Sequence, residues 1–196
     1  MVVQIESDVV LRPATRSDCH DIARLFLISS DGLADYIWSH VATPGETLLE
    51  AGARRYAREG VAFSYQNCLM AEMDGAIAGM AHTFAMEEDP DGEPETDPIL
   101  QPYSELEAYG SLYLSGIAVF DTYRNRGVGS KLLQAVEAEA RAASLPSVSL
   151  VCFERNEAAM RLYDRLGYRD IARRPLVPHP SLHYQDGDAV LMLKTL

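Results

Sequence analysis

Hydrophobic positions recur with two different periods along this chain, and the switches between them lay out its elements. Residues 112–120 read Leu-Tyr-Leu-Ser-Gly-Ile-Ala-Val-Phe, a strand. Period-two alternation puts Tyr113, Ser115, Ile117 and Val119 on one face, with Leu112, Leu114 and Ala118 on the other. Gly116 inside that run predicts a bulge or the close approach of another segment. Val128, Leu132, Leu133 and Val136 then recur at helical spacing, Pro146 closes the segment, and 148–153 reads as a second strand. Asn156 is of the type that caps a helix; Ala159, Leu162, Tyr163 and Leu166 share one face of the helix it opens, and Gly167 supplies a stop.

The rest follows the same two rhythms. Residues 9–13 predict a first strand, and Ser17 or Asp18 caps a helix whose Ile22, Leu25 and Phe26 face the core and whose end carries Tyr36, Trp38 and His40. Thr43-Pro44-Gly45-Glu46 predicts a helix start, with a Thr cap, Pro at the first position and Glu three residues after the cap, running to Gly60. Segments 68–73 and 76–86 flank Asp74-Gly75, a hairpin turn signal. A helical turn is expected over 104–108. Segments 168–174 and 189–194 read as the last two strands, joined by a loop holding His179 and His183.

Composition narrows the class. A chain of 196 residues with 47% hydrophobic and 23% charged residues suits one globular domain, 1–196, with an acidic loop insertion at about 87–110. No apolar run approaches the ~20 residues of a membrane helix, and the start has acids but no basic segment or cleavage signal, so a cytoplasmic location is expected. Cys19, Cys68 and Cys152 are odd in number and widely spaced, which fits reduced, packed thiols. Pro178 and Pro180 forbid the helix that would align His179 and His183, so no metal site is expected. A net charge of −12 argues against nucleic acid or an anionic membrane as partner. Seven of the 29 acids fall in residues 87–97, which read either as a self-repelling solvated loop or as an acidic lip for a cationic acceptor.

The chemistry concentrates between the 112–120 strand and the next helix, in Arg124-Asn125-Arg126-Gly127-Val128-Gly129-Ser130. Glycine permits a sharp turn and close ligand approach, a helix start offers amides without partners, and two arginines add forked donors for phosphate oxygens. The loop reads as an anion cradle fit for pyrophosphate, or as a tight turn with solvated arginines. It is neither a Walker loop, which needs Gly-Lys where Gly129-Ser130 stands, nor a dinucleotide fingerprint, whose third glycine is here Leu132.

Arg124-x-x-Gly127-x-Gly129, followed after one helix and one strand by Asn156-x-x-Ala159-x-x-Leu162-Tyr163-x-x-x-Gly167-Tyr168, resembles the two cofactor motifs of the GNAT superfamily of acetyl-CoA-dependent N-acetyltransferases. The specific match covers about 112–168. The resemblance implies an α/β fold, a central mixed twisted sheet of six to seven strands flanked by about four helices. It implies acetyl-CoA as acetyl donor and no metal, bound through 124–130, Asn156 and Tyr163, with backbone groups of Ile117, Ala118 and Val119 holding the pantetheine arm. One of those amides, that of Val119, would polarise the thioester carbonyl.

Tyr163 stands where the family places its general acid; a core tyrosine on the inner helix face is the other reading. Many relatives carry a carboxylate at the position of Tyr113, which leaves Glu105, Glu107, a residue of another element or a water chain as base, or an amine that enters neutral. The acceptor implied is a primary amine of a small molecule or a peptide N-terminus, for which Tyr36, Trp38, His40, His179, His183 and Tyr184 are candidate lining residues. A catalytically weak acyl-CoA binding module is the alternative, and a homodimer is left open.

Overall fold

The structure, a computed structural model, describes residues 8–196. Residues 1–7, most of the segment inspected for a targeting signal, lie outside the described residues. Strand β1 (Val10–Pro13) leads through a short 3-10 turn into α1 (Cys19–Ser29), which buries Ile22, Leu25 and Phe26 as their spacing predicts. The predicted long first helix is broken: Asp31 and Gly32 take φ of 48° and 92°, and α2 (Leu33–Val41) starts anew. Gly32 is required there, because a Cβ would sit 2.0 Å from the Ser181 carbonyl oxygen. Tyr36, Trp38 and His40 therefore belong to a second helix.

The next helix also starts later than expected. Thr43 and Glu46 do bond to each other, Thr43 N–H donating to Glu46 Oε2 at 2.8 Å, but the chain leaves the helical path at Gly45 and the pair closes an isolated turn. Four residues on, a second Thr-x-x-Glu box succeeds. Thr47 N–H donates to Glu50 Oε2 (2.7 Å), Glu50 N–H donates to Thr47 Oγ1 (3.2 Å), and α3 (Leu48–Tyr56) follows, ending short of Gly60.

Strands β2 (Cys68–Met73) and β3 (Ala76–Ala85) form the hairpin at Asp74-Gly75, both with positive φ as a tight two-residue turn demands. After the acidic segment come the four-residue α4 (Gln101–Ser104), β4 (Leu112–Val119), α5 (Val128–Ala142), β5 (Ser147–Phe153), α6 (Glu157–Arg165), β6 (Arg169–Pro175) and β7 (Asp188–Thr195). The strands form one seven-stranded sheet in the order β1-β2-β3-β4-β5-β7-β6, antiparallel except between β4 and β5. Among the described residues six helices stand where about four were expected, because of the break at Gly32 and the short α4. Among the described residues no helix is long and apolar enough to cross a membrane.

The sheet has a core on each face. One joins α5, through Val128, Leu132 and Val136, to Leu114, Val148 and Leu150 of the sheet; the other joins Ile22, Phe26, Trp38 and Tyr56 to Met70 and Met80. Leu132 is wholly buried, so its truncation to Ala would cost about 2–5 kcal/mol. All three cysteines are free and buried, as expected of packed thiols.

Strict alternation along β4 fails at one residue. His82 and Thr83, consecutive in β3, pair with Gly116 and Leu114, which leaves Ser115 as the extra residue of a β-bulge beside the glycine that signalled it. Leu112 and Leu114 consequently share the α5 side with Ile117 and Val119, while Ala118 joins the α1 side. Tyr113 packs its ring on Phe84 at 5.4 Å instead of sharing a face with Ile117 and Val119. A one-residue slip reverses every side chain beyond it, and only pairing with β3 fixes where the slip falls.

Candidate active site

Strands β4 and β5 pair through Leu112↔Val148 and Tyr113↔Ser149 alone and then part. Each keeps its outer partner, so the sheet splits along its middle, and a cleft of about 620 Å³ opens between the two diverging strands. Ile117, Ala118 and Val119 of β4 line it, as do Val151, Cys152 and Phe153 of β5. Phe120 N–H bonds to the Ala78 carbonyl of β3. Successive amides along a strand point to opposite edges, so Ile117 and Val119 direct theirs away from β3 and into the cleft.

The loop after β4 closes one end. Asn125 and Gly127 have φ of 60° and 81°, alternating the backbone into a concave run of amides, and α5 begins at once with Gly127 as its cap residue. Lys131 N–H bonds to the Gly127 carbonyl at 3.0 Å, which leaves the amides of Val128, Gly129 and Ser130 as the orphan donors of the first turn. All three residues line the cleft, together with Arg124 and Asn125. A Cβ built on Gly127 would meet nothing within 4 Å, so the backbone there faces open space. Amides, helix dipole and one guanidinium thus converge on a place suited to a pyrophosphate.

Arg126 does not join them. Its guanidinium is 3.1 Å from Asp74 Oδ2 in the β2–β3 turn and lies 5.7 Å from the Tyr123 ring centroid. Asn125 between them is left-handed and turns the chain, so of the two arginines expected at the phosphates the structure brings Arg124 to the cleft.

Helix α6 borders the cleft on the β5 side. Asn156 caps it, Oδ1 accepting from Ala159 N–H at 3.2 Å. Ala159, Tyr163 and Leu166 pack on the core with Met160, whereas Leu162, expected on that inner face, is 37% exposed and lines the cleft. Tyr163 also lines the cleft, its ring 5.5 Å from that of Tyr168, and among the described residues its hydroxyl has no hydrogen-bond partner. Burial is the main cause raising the Tyr163 phenol above its ordinary pKa, with Cys152, Tyr168 and Asp31 adding to it. Burial also holds Cys152 as a thiol, pushed up to about 12.

The proposed bases fall elsewhere. Glu105 is ion-paired with Arg174 at 2.6 Å, Glu107 accepts from the Tyr109 hydroxyl, and neither lines the cleft. Burial pushes the Tyr113 phenol up to about 12. Of the aromatic candidates for the acceptor side, Tyr36 and His179 pack against each other at 4.6 Å, and the Tyr36 hydroxyl donates to Asp97 at 2.7 Å. The residue that sequence reasoning missed is Asp31, the one acid among the described residues lining the cleft. Its signal was present: Asp31-Gly32 is the same turn dipeptide as Asp74-Gly75.

A family model for the acetyltransferase (GNAT) family matches residues 35–168. Among solved structures the chain is similar to a crystal structure of an acetyltransferase, at 25% identity and a TM-score of 0.64, covering 95% of this chain and 98% of the other. It shares its fold with the ribosomal-protein-alanine N-acetyltransferase from Brucella melitensis (20% identity, TM-score 0.62, 95% and 99% covered). The same holds for yncA from Salmonella typhimurium, solved with its cofactor acetyl-CoA (18%, 0.62, 97% and 95%). A family match over two thirds of the chain, on a sheet split in the middle beside an amide-lined loop, places this protein in the acetyltransferase (GNAT) family, as an acyltransferase.

Proposed function

We propose that this chain moves an acetyl group from acetyl-CoA to a primary amine of a small molecule or peptide, by direct attack within a ternary complex. The observation that carries this reading is the cleft itself: it opens where β4 leaves β5, with the Val119 amide on one side and Tyr163 on the other. The donor supplies an activated acyl group and a thiolate leaving group. The amides of Val128, Gly129 and Ser130, with Arg124, hold its pyrophosphate, and Ile117 and Val119 pair with the pantetheine arm as a further strand would.

Val119 N–H stabilises the charge that develops on the carbonyl oxygen; a donor of this kind is worth about 10²–10³ in rate. Tyr163 keeps its proton at neutral pH and gives it to the sulfur as the C–S bond breaks. Cys152 stays protonated beside them, which favours direct transfer over an acyl-cysteine.

The test is release of free thiol from acetyl-CoA with a panel of primary amines. At least one amine is expected to raise release well above background hydrolysis. Tight CoA binding with no amine turned over would leave an acyl-CoA binding module, the reading suggested by a β4 that carries Tyr113 where a carboxylate was expected. Failure to bind CoA would end both.

A further inference from the structure

Asp31 is fixed by three separate elements and used by none of the chemistry above. Its backbone is held at φ 48° in the α1–α2 turn, and its carbonyl accepts from His183 N–H at 2.9 Å. One carboxylate oxygen, Oδ2, accepts from Asn156 Nδ2 at 3.0 Å; the other, Oδ1, lies 3.5 Å from His183 Nδ1. The side chain is 17% exposed. A mostly buried carboxylate needs charge-matched donors, and this one has a single short bond from a neutral amide.

The surroundings place this carboxylate at the reacting end of the cleft. Asp31 and Tyr163 line the same cleft, and the field of Asp31 reaches Tyr163, Cys152, Tyr103 and Tyr184. Independently, the Tyr103 hydroxyl is buried and has no hydrogen-bond partner among the described residues. The Asp31 carboxylate, with one short bond on Oδ2 and a 3.5 Å contact from Oδ1 to His183, thus lines the same cleft as the group that would protonate the leaving thiolate.

We infer that Asp31 is the acceptor-binding carboxylate: it receives the ammonium group of a cationic primary amine and takes one of its protons. This rests on the amine acetyltransfer reading. An ammonium N–H bond breaks, the electron pair stays on nitrogen, and the proton passes to Asp31 and on to the exposed imidazole of His183. The nitrogen pair forms the C–N bond, the C–S pair leaves with sulfur, sulfur takes the Tyr163 proton, and the second nitrogen proton restores the phenol. One proton is released per turnover. The titratable groups around Asp31 are His183, Tyr103, Tyr163, Tyr184 and Cys152; burial heads the causes raising the last four, and His183, 3.5 Å away and 59% exposed, is the one among them that opens a path to solvent.

The experiment compares wild type with Asp31→Asn, since Asn tolerates the left-handed backbone and can still accept from Asn156. Asp31→Ser is the second variant, a residue this chain already carries at φ 57° in Ser144. Probes are n-butylamine, phenethylamine, putrescine, spermidine and the tripeptides Ala-Ala-Ala and Ser-Ala-Ala, assayed with acetyl-CoA. For the best acceptor at neutral pH, both variants should raise KM by about 10- to 100-fold, the loss expected of one charge-assisted bond, with CoA affinity by calorimetry unchanged. The penalty should shrink toward pH 9.5 in step with the neutral fraction of the acceptor, most for the tripeptides, whose α-amino groups ionise at about 8, which a merely structural role would not produce. An unchanged KM, or a penalty equal at both pH values, overturns the assignment while leaving amine acetyltransfer intact. Wild type acetylating no probe would fail the underlying reading, and the role of Asp31 would fall with it.

Discussion

Asn156 caps α6 with one side-chain atom and holds Asp31 with the other: Oδ1 accepts from Ala159 N–H at 3.2 Å while Nδ2 donates to Asp31 Oδ2 at 3.0 Å. The second cofactor motif is thereby tied to the turn between the first two helices, 125 positions away in sequence. The two roles separate by mutation. Asn156→Ala should lose about 1 kcal/mol of stability, the usual worth of a cap, and Asn156→Ser should recover most of it because serine also caps. Alanine has no donor, and the shorter serine side chain lacks the Nδ2 that reaches Asp31, so both should raise KM for the acceptor amine. Denaturant melts beside steady-state kinetics check this; a serine variant with wild-type KM would show that the Asp31 contact has no functional weight.

The phosphate loop predicts an order of effects. Gly127 has φ 81° and faces open space, so Gly127→Val adds both backbone strain and bulk where the phosphates would lie, and CoA binding should be abolished. Arg124→Ala should weaken binding by roughly 10-fold, the loss of one charge-assisted contact. Arg126→Ala should weaken it less, because both guanidinium groups have an acidic partner, Asp121 for Arg124 and Asp74 for Arg126, but Arg124 lines the cleft and Arg126 does not. Calorimetry with CoA reads all three, and equal losses for the two arginines would contradict the geometry.

Local chemistry made much of this site legible in the sequence. A cap residue such as Asn156, a left-handed glycine such as Gly127 and a turn dipeptide such as Asp74-Gly75 act within four or five residues, so the sequence alone carries them. What it concealed depends on partners far along the chain. Ser115 is a bulge only because His82 and Thr83 pair around it, and Thr43 and Thr47 offer competing boxes that Gly45 decides between. Leu162 has the spacing of a core residue yet lines the cleft, which is the position a ligand-facing leucine takes on an inner helix face. The Asp31-Gly32 turn is a local signal, but the place of Asp31 in the cleft depends on α1, α6 and the β6–β7 loop coming together.

Tyr163→Phe tests the acid. The ring keeps its packing on Tyr168, so fold and CoA affinity should persist. The lost hydroxyl matters as sulfur gains charge, and kcat should fall by about 10²–10⁴ where chemistry limits the rate. Unchanged kcat on the best acceptor would make Tyr163 a packing residue.

The acidic segment should matter little to catalysis. None of residues 87–97 lines the cleft, and at ~0.15 M salt a charge acts over about 8 Å. Replacing the acids from Glu87 to Glu95 by their amides, with Asp97 kept for its bond from Tyr36, should shift KM for a cationic amine by less than about 2-fold. A rise of about 10-fold with a flattened salt dependence would restore the acidic lip.

His82 gives the chain a specific acid sensitivity. It is wholly buried on β3, with Nε2 placed 3.0 Å from the Ala62 carbonyl and Nδ1 3.3 Å from the Tyr56 hydroxyl. Those partners fix the neutral tautomer: Nε2–H donates and Nδ1 accepts. Burial lowers its pKa from 6.5 to about 4, only partly opposed by the Ala62 contact. Because the folded value is the lower one, the unfolded chain binds the proton first, and stability present above pH 6.5 is lost as pH falls toward 4. The shift corresponds to about 3 kcal/mol. Glu139, raised by burial, works in the opposite sense, and Asp18, held near 2 chiefly by Arg12, loses its contribution below this window. His82→Phe, neutral at every pH among Phe26, Phe63 and Phe84, should be less stable than wild type at pH 7 because Tyr56 loses its acceptor. Its stability should nevertheless fall less steeply between pH 6.5 and 4. Denaturant unfolding across that range decides the matter, and parallel slopes for the two proteins would mean that His82 is not the group being titrated.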